Sequence, residues 1–215
     1  MIKFMSAIND KERRIRKKLR KEKIEELNRL LEKYKTIEVN NLHQTANGFI
    51  TVMQADYKLN NGETINRDYI LKNGKEGNSV NVLPITKEKE VLLVVQPRVS
   101  TKRTVSVEFP AGLCEKGEDP ETSIRRELLE ETGYTSNNFI KILTCYQDEG
   151  CSKSVENCFL ALDCEKIQDQ NLDSDEFIDV FKCTIDEAYE LVDLSYIQGA
   201  FSIVTLERAR KYLNK

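Results

Sequence analysis

Three glutamates at helical spacing are the residues of this 215-residue chain whose types and positions most clearly suggest chemistry. Glu127, Glu130 and Glu131 stand at i, i+3 and i+4, so a helix would bring their carboxylates to one face. Three like charges this close repel one another unless a cation compensates them. Oxygen donors favour a hard divalent ion, Mg²⁺ or Mn²⁺, over zinc. A solvated acidic helix face is the competing interpretation, and it stays open at this point.

Two further charged residues are placed to support this cluster. Glu118 lies in the loop before the helix and can turn back towards the same face. Arg126 lies beside the glutamates and can hold Glu118 by a charge-assisted hydrogen bond. The sequence therefore predicts a loop–helix unit in which Glu118 and Arg126 form a supporting pair.

Other catalytic chemistries are poorly supplied by this sequence. The chain has one histidine, His43, so a Ser-His-Asp or Cys-His system would depend on it, and no nucleophile elbow is visible. The six cysteines form no C-x-x-C pair, which argues against a zinc ribbon or a redox motif, and we expect reduced thiols. If the chain is an enzyme, carboxylates or a metal must carry the acid–base chemistry.

The composition predicts a soluble globular protein. Hydrophobic residues make up 40% of the chain, which is too many for a wholly disordered one. No apolar run approaches the roughly 18 residues of a membrane span, and the first ten residues show no secretory-signal pattern. We therefore expect a cytoplasmic protein with no membrane partner.

Charge is divided unevenly along the chain. Residues 10–35 contain twelve basic and six acidic residues, a net +6, so the remainder carries −9 of the overall −3. Apolar residues at helical spacing predict one helix over 9–35 that packs against the body or a second subunit. Contact with nucleic acid or an anionic surface is the alternative, but no aromatic residues are interleaved for base stacking. Nucleic acid is therefore not the expected partner.

The elements that would position the glutamates form a mixed α/β pattern. The helix carrying them is predicted to begin after an Asp119 cap with Pro120 in its first turn, and to end at Gly133. Thr184 and Glu187 predict a capping box for a helix through residue 192, and a last helix is expected over 199–213. Strands are predicted over 49–53, 55–59, 64–71, 80–85, 91–95, 105–109, 139–146, 155–162 and 178–183.

The full spacing of the loop and helix resembles the Nudix box, the signature of the Nudix hydrolases. A match of seven residue types at fixed positions is far more specific than a lone glycine-rich motif. Tyr134 is a mild departure, because an aliphatic residue usually stands there. The seven matching residues are Gly112, Glu118, Arg126, Glu127, Glu130, Glu131 and Gly133, and Leu128 stands at the apolar position of the box.

This resemblance implies a fold and a reaction. The fold would be an α/β/α sandwich with a mixed sheet, here preceded by the N-terminal helix and a small antiparallel β sheet. The reaction would be attack of water on a nucleoside diphosphate linked to another moiety, with bound metal neutralising charge on the diphosphate and activating water. The expected cofactor is Mg²⁺, with Mn²⁺ as a possible substitute.

The resemblance also implies roles for individual residues. Metal ligands would be Glu127 and Glu131, with Glu130 as an adjacent acid and the carbonyl of Ala111 as a backbone donor. The catalytic group would comprise Glu130 and Glu131 with the supporting Arg126 and Glu118.

Further segments resemble the ADP-ribose pyrophosphatase branch of the family over residues 45–213. Arg98, after Gln96 and Pro97, and Glu108, before Phe109 and Pro110, match elements of that branch and are candidate substrate contacts. Residues 197–202 resemble its C-terminal helix.

An acidic loop at residues 173–176 also matches that branch. It implies Glu176 as a further metal ligand and a water-activating carboxylate, assigned to Asp175 with Asp173 as the alternative. A solvated acidic turn is the competing interpretation.

The implied substrate is ADP-ribose or a related nucleoside diphosphate sugar, cleaved to a nucleoside monophosphate and a sugar phosphate. Glu149 replaces a proline that ADP-ribose members often carry, so GDP-mannose or another nucleotide sugar is an alternative. A non-catalytic Nudix sensor would be expected to lack box acids, which are present here. A decapping-type hydrolase guided by the basic arm is a third possibility.

The domain organisation follows from the same patterns. We predict a charged helical arm over 1–44, a small β subdomain over 45–75 and a Nudix catalytic domain over 76–215. Relatives exchange an N-terminal sheet on dimerising, so residues 45–75 are expected to pair across a twofold axis in a homodimer.

Overall fold

The computed structural model describes residues 36–44, 48–72, 76–98 and 101–213. The helix predicted over 9–35 lies outside the described residues. The chain forms two compact units: the smaller contains the described residues up to 44 together with 52–69, and the larger contains 48–51 and the described residues from 70 onward. The domain limits 1–44, 45–75 and 76–215 remain predictions.

A three-stranded sheet is formed by β1 (Thr36–Gln44), β2 (Ile50–Leu59) and β3 (Thr64–Lys72), in the order β1-β2-β3. The break predicted near residue 54 is absent, because the Gln54 side chain bonds Asp68 at 2.8 Å and β2 continues through it. Strand β1 was not predicted. It pairs antiparallel with β2, and the register of this pairing is irregular on both sides of Val39. Apolar and polar residues therefore alternate over only a short stretch, which is too short to predict a strand.

The larger sheet combines parallel and antiparallel pairs. Its strands are β4 (Ser79–Thr86), β5 (Val91–Arg98), β6 (Thr104–Glu108), β7 (Ala111–Leu113), β8 (Tyr134–Thr135), β9 (Asn138–Tyr146), β10 (Val155–Lys166) and β11 (Asp179–Cys183). Five of them are neighbours in the order β11-β5-β4-β10-β8, while β6 pairs with β5, β7 with β4 and β9 with β10. Strands β10 and β4 are parallel, and the pairs β4–β5, β5–β6, β4–β7, β9–β10 and β5–β11 are antiparallel.

The neighbouring strands β4 and β5 diverge along their length. They pair directly at Ile85 and Val91. At their other ends β4 pairs with β7 and β5 pairs with β6, so residues 104–113 enter between them. The resulting split opens a cleft over the sheet.

Three helices are described: α1 (Pro120–Thr132), α2 (Ile185–Asp193) and α3 (Ala200–Leu213). The predicted caps of α1 are confirmed, since the Asp119 carboxylate accepts the backbone N–H of Glu121 at 2.9 Å and Gly133 ends the helix at φ +76°. A Cβ at Gly133 would lie 2.2 Å from the Gln168 carbonyl oxygen, so both backbone angle and space require glycine. The predicted capping box of Thr184 and Glu187 is also present.

Two apolar clusters cover opposite faces of the sheet. Alternate residues of β4 divide between them: Val80 and Val82 pack in the cluster that contains Ile124 and Leu128 of α1. Leu83 and Ile85 belong to the other cluster, which contains residues of α2 and α3. Successive side chains of a strand point to opposite faces, so helices lie on both sides of the sheet. The predicted α/β/α sandwich with a mixed sheet is confirmed.

Two smaller expectations concern membranes and thiols. None of the described helices is long and apolar enough to cross a membrane. All six cysteines are free thiols, as expected.

Candidate active site

A cleft of about 970 Å³ lies in the larger unit at the split between β4 and β5. One flank is formed by β4 and β10, and the other by the ends of β5 and β6. Helix α1 contributes Glu127 and Glu131 to the cleft, opposite the backbone of β7. The fold therefore brings the predicted box residues to one concave surface.

Gly112 of β7 allows the Glu127 carboxylate to lie against the backbone. A Cβ at this position would be 2.0 Å from Cδ of Glu127 and 2.1 Å from its Oε1. The Glu127 side chain is only 12% exposed as a result. Burial raises its pKa, although the neighbouring Arg126 opposes the shift.

Glu131 is the most buried acid of the cluster, at 3% exposure. Its carboxylate accepts the backbone N–H of Ala111 at 3.1 Å, which ties α1 to β7. Burial and the nearby Glu127 raise the pKa of Glu131 well above its ordinary value. Burial is the larger cause for both Glu127 and Glu131, and the charge of neighbouring carboxylates adds to it.

Arg126 connects three acidic side chains. Its guanidinium donates to Glu127 at 2.8 Å, to Glu130 at 3.0 Å and to Glu118 at 3.2 Å. The predicted bond between Arg126 and Glu118 is confirmed, and it holds the pKa of Glu118 down at about 2. The bonds to Glu127 and Glu130 were not predicted. The chain thus supplies part of the compensating positive charge itself, and Glu130, 35% exposed, faces this arginine.

The donor set fits a hard divalent cation. In the described part of the chain, no three Asp, Glu, His or Cys side chains converge into a complete metal site. Glu127 and Glu131 nevertheless offer two buried carboxylates next to the Ala111 backbone, and the space above Gly112 is kept clear for the first of them. An ion held by these oxygens would complete its coordination with water or substrate oxygens.

The acidic loop reaches the cleft through two of its residues. Asp173 and Glu176 line the cleft, and the Asp173 backbone N–H donates to the Glu176 carboxylate at 3.1 Å. The charge of Glu176 also contributes to the raised pKa values of Glu127 and Glu131. Asp175 is exposed and is not among the residues that line the cleft. The structure therefore does not bring Asp175 together with the other predicted site residues.

The two predicted substrate contacts lie on the flank formed by β5 and β6. Nε of Arg98 donates to Oε1 of Glu108 at 2.8 Å, and both residues line the cleft. His43 is exposed on β1 and is not among the lining residues.

Several polar residues on the opposite flank were missed by the sequence analysis. Glu156 of β10 is 3% exposed and accepts hydrogen bonds from the Ser79 hydroxyl and, at 3.1 Å, from Gln147. Burial raises its pKa to about 7. An acid within the apolar run of β10, and the alternation of Ser79 and Asn81 in β4, were the available signals.

The NUDIX domain model matches residues 75–201, which is more than half of the chain. The chain belongs to the Nudix family.

Two relatives of this chain are named pyrophosphatases. The chain is 38% identical over 146 residues to an ADP-ribose pyrophosphatase of Bacillus subtilis, covering 67% of this chain and 76% of that protein. It is 32% identical over 139 residues to a GDP-mannose pyrophosphatase of Cronobacter sakazakii, covering 61% and 72%. The crystal structure of an ADP compounds hydrolase superposes with a TM-score of 0.69 at 21% identity, covering 84% of this chain and 96% of that one. This last similarity shows a shared fold.

Proposed function

We propose that this protein is a metal-dependent Nudix hydrolase that cleaves the diphosphate bond of a nucleoside diphosphate sugar, ADP-ribose or a close relative. The products are a nucleoside monophosphate and a sugar phosphate. One observation carries the proposal: the buried carboxylates of Glu127 and Glu131 face a cleft of about 970 Å³. The relatives named ADP-ribose pyrophosphatase and GDP-mannose pyrophosphatase support the same reaction class.

The box residues would bind the metal ion and hold its ligands in position. Glu127 and Glu131 would hold the divalent ion, Mg²⁺ or Mn²⁺, with the Ala111 carbonyl and Glu130 as further donors. Such an ion neutralises diphosphate charge and lowers the pKa of bound water. Arg126 keeps Glu118 and Glu127 in place through its hydrogen bonds. Arg98 and Glu108 would contact the substrate from the β5–β6 flank.

The acidic loop would supply the group that orients the attacking water. Glu176 is proposed as a further metal donor, since its negative charge contributes to the raised pKa values of both Glu127 and Glu131. Between the two candidate bases, Asp173 is favoured because it lines the cleft, whereas Asp175 would need the loop to rearrange. The proton of the water passes to this carboxylate as the bridging P–O bond breaks.

GDP-mannose is the second candidate substrate. Glu149, in place of the proline common in ADP-ribose members, and the GDP-mannose pyrophosphatase relative both favour it. A binding protein without turnover is less well supported, because all three box glutamates are present. We propose that the reaction takes place in the cytoplasm.

A substrate panel tests the proposal. The full chain is incubated with ADP-ribose, GDP-mannose, ADP-glucose or NADH, each with Mg²⁺, with Mn²⁺ and with EDTA. We expect chromatography to show a nucleoside monophosphate and a sugar phosphate, with no products in EDTA. In ¹⁸O-labelled water, the labelled product identifies the attacked phosphorus. Binding of these compounds without products would indicate a sensor, and RNA decapping alone would indicate the third alternative.

A further inference from the structure

The flank of the cleft formed by β4 and β10 contains a buried polar group that the proposed reaction does not use. We call Ser79, Asn81, Gln147 and Glu156 the Glu156 cluster. All four residues line the cleft. Ser79 and Glu156 stand opposite each other in the parallel pairing of β4 and β10, so the cluster is built on the rigid centre of the sheet.

Within this cluster the hydrogen bonds converge on one carboxylate oxygen. The Ser79 hydroxyl and the Gln147 amide both donate to Oε2 of Glu156, and Lys72 donates to Oε1 of Gln147. The lysine therefore reaches Glu156 through an amide instead of pairing with it directly. A carboxylate at 3% exposure with this arrangement costs stability compared with an apolar residue. Because this carboxylate lines the cleft, hydrogen bonds from a bound ligand can offset that cost.

Asn81 provides an independent sign of a missing partner. Its side chain is buried at 3% exposure and lines the cleft, yet among the described residues its Oδ1 has no hydrogen-bond partner. Most buried polar atoms in folded proteins are paired, directly or through water. A hydrogen-bond donor on a bound ligand would satisfy this oxygen.

We propose that the Glu156 cluster binds the hydroxyl groups of the sugar, and that Asn81 and Glu156 determine which sugar is accepted. This inference rests on the proposed function. The diphosphate lies at Glu127 and Glu131, so the two ends of the substrate extend towards the two flanks.

The hydrogen-bonding groups on each flank of the cleft indicate which end of the substrate that flank binds. Sugar hydroxyls both donate and accept, which suits neighbouring carboxylate, amide and hydroxyl groups. The opposite flank carries Arg98, whose planar guanidinium suits the face of a nucleobase.

The test compares substrates that differ in one part only. ADP-ribose and ADP-glucose share a base, and ADP-glucose and GDP-glucose share a sugar. For Asn81→Ala and Glu156→Gln we expect the kcat/KM ratio within the first pair to change about tenfold or more, because a lost hydrogen bond to a sugar hydroxyl is sugar-specific. The ratio within the second pair should stay unchanged.

Asn157→Ala is the matched control for Asn81→Ala. Asn157 is a buried asparagine on the same sheet that donates to the Ser79 carbonyl and is not among the residues that line the cleft. It should lower the melting temperature without altering either ratio. The sugar assignment is overturned if the cluster variants change only the ratio between ADP-glucose and GDP-glucose. It is also overturned if neither variant changes either ratio.

Equilibrium binding of the same nucleotides, measured by calorimetry, separates this inference from the proposed function. Binding without hydrolysis overturns the function, and the sugar assignment is then judged by the same ratios of dissociation constants. Absence of both binding and hydrolysis overturns the function and the sugar subsite together.

Discussion

Single residues at the site are held in positions that are electrostatically unfavourable without a ligand. Glu127 and Glu131 both line the cleft, burial raises the pKa of each, and the charge of Glu127 raises that of Glu131 further. Arg126 supplies part of the compensating positive charge, but its hydrogen bonds to carboxylates go to Glu118, Glu127 and Glu130. Glu131 therefore depends on the Ala111 backbone N–H within the chain. Such strained acids are typical of functional sites.

Replacing Glu131 by glutamine tests this reasoning. We expect kcat/KM to fall by about 10²-fold or more, because a charged metal donor is lost. The melting temperature in EDTA should not fall, because a buried charge is removed. Glu121→Gln, an exposed glutamate of the same helix that pairs with Arg125, is the control and should retain activity. Surviving turnover in a destabilised Glu131→Gln protein would contradict the assigned role.

Glu156 makes stability depend on pH. Its pKa is raised from 4.5 to about 7 in the folded protein, despite the opposing charge of Lys72. Its proton therefore stabilises the fold fully below about pH 4.5, and this contribution is lost as the pH rises through about 7. The loss amounts to about 3 kcal/mol at most.

The Glu156→Gln variant isolates this effect. Glutamine keeps an oxygen for the Ser79 and Gln147 bonds but never ionises. We expect the free energy of unfolding of the variant, relative to the unmodified protein, to rise between pH 5 and pH 8 in urea titrations. A constant difference across that range would show that Glu156 does not titrate there.

Sequence information was sufficient for residues whose interactions are local. The Asp119 cap, the Thr184 capping box and the Glu118–Arg126 bond all follow from short spacings along the chain. The Glu156 cluster does not, because Ser79 and Glu156 are 77 positions apart and meet only through strand pairing. The pattern that predicts a strand cannot specify which strand lies beside it.

At the level of elements, the three-residue strand β7 has an importance out of proportion to its length. It pairs with β4 and supplies both the Gly112 surface against Glu127 and the Ala111 N–H for Glu131. Its apolar content is too small to be recognised as a strand from sequence. Helix α1 and β7 therefore position the two buried carboxylates together.

Gly112→Ala tests the packing between these two elements. The added Cβ would overlap the Glu127 carboxylate, so the side chain or β7 must move. We expect kcat/KM to fall more than tenfold and the free energy of unfolding to fall by about 1–3 kcal/mol. Gly150→Ala is the control, since its Cβ would approach only the Asp148 carboxylate, at 3.2 Å. Unchanged activity of Gly112→Ala would mean that the Glu127 position is unimportant.

For the whole molecule, the sandwich architecture and the helix order could be predicted, because they rest on periodicity and a specific motif. Strand β1 could not, since its irregular pairing gives a weak pattern. The order of strands in the large sheet also depends on contacts between distant segments. The split between β4 and β5, which creates the cleft, is a property of that order.

A deletion that leaves β1 complete tests the predicted homodimer. Removal of residues 1–35 leaves the strand that begins at Thr36 intact. We propose that residues 45–75 form the main dimer contact and that the basic arm strengthens it. Sedimentation equilibrium should then show a dimer for the full chain and weaker association for the deleted one. A monomeric full chain contradicts the first part, and equal affinities contradict the second.

The divergence of β4 and β5 from Ile85 and Val91 has a consequence for how this enzyme can change during evolution. The two strands separate beyond these residues, and the insert of residues 104–113 between them sets the distance that separates them. Substitutions at residues 104–107 of that insert, outside β7, would widen or narrow the space for the leaving groups while Ala111, Gly112 and the acids on α1 keep their own geometry. New substrate sizes are therefore accessible without altering the residues that perform hydrolysis.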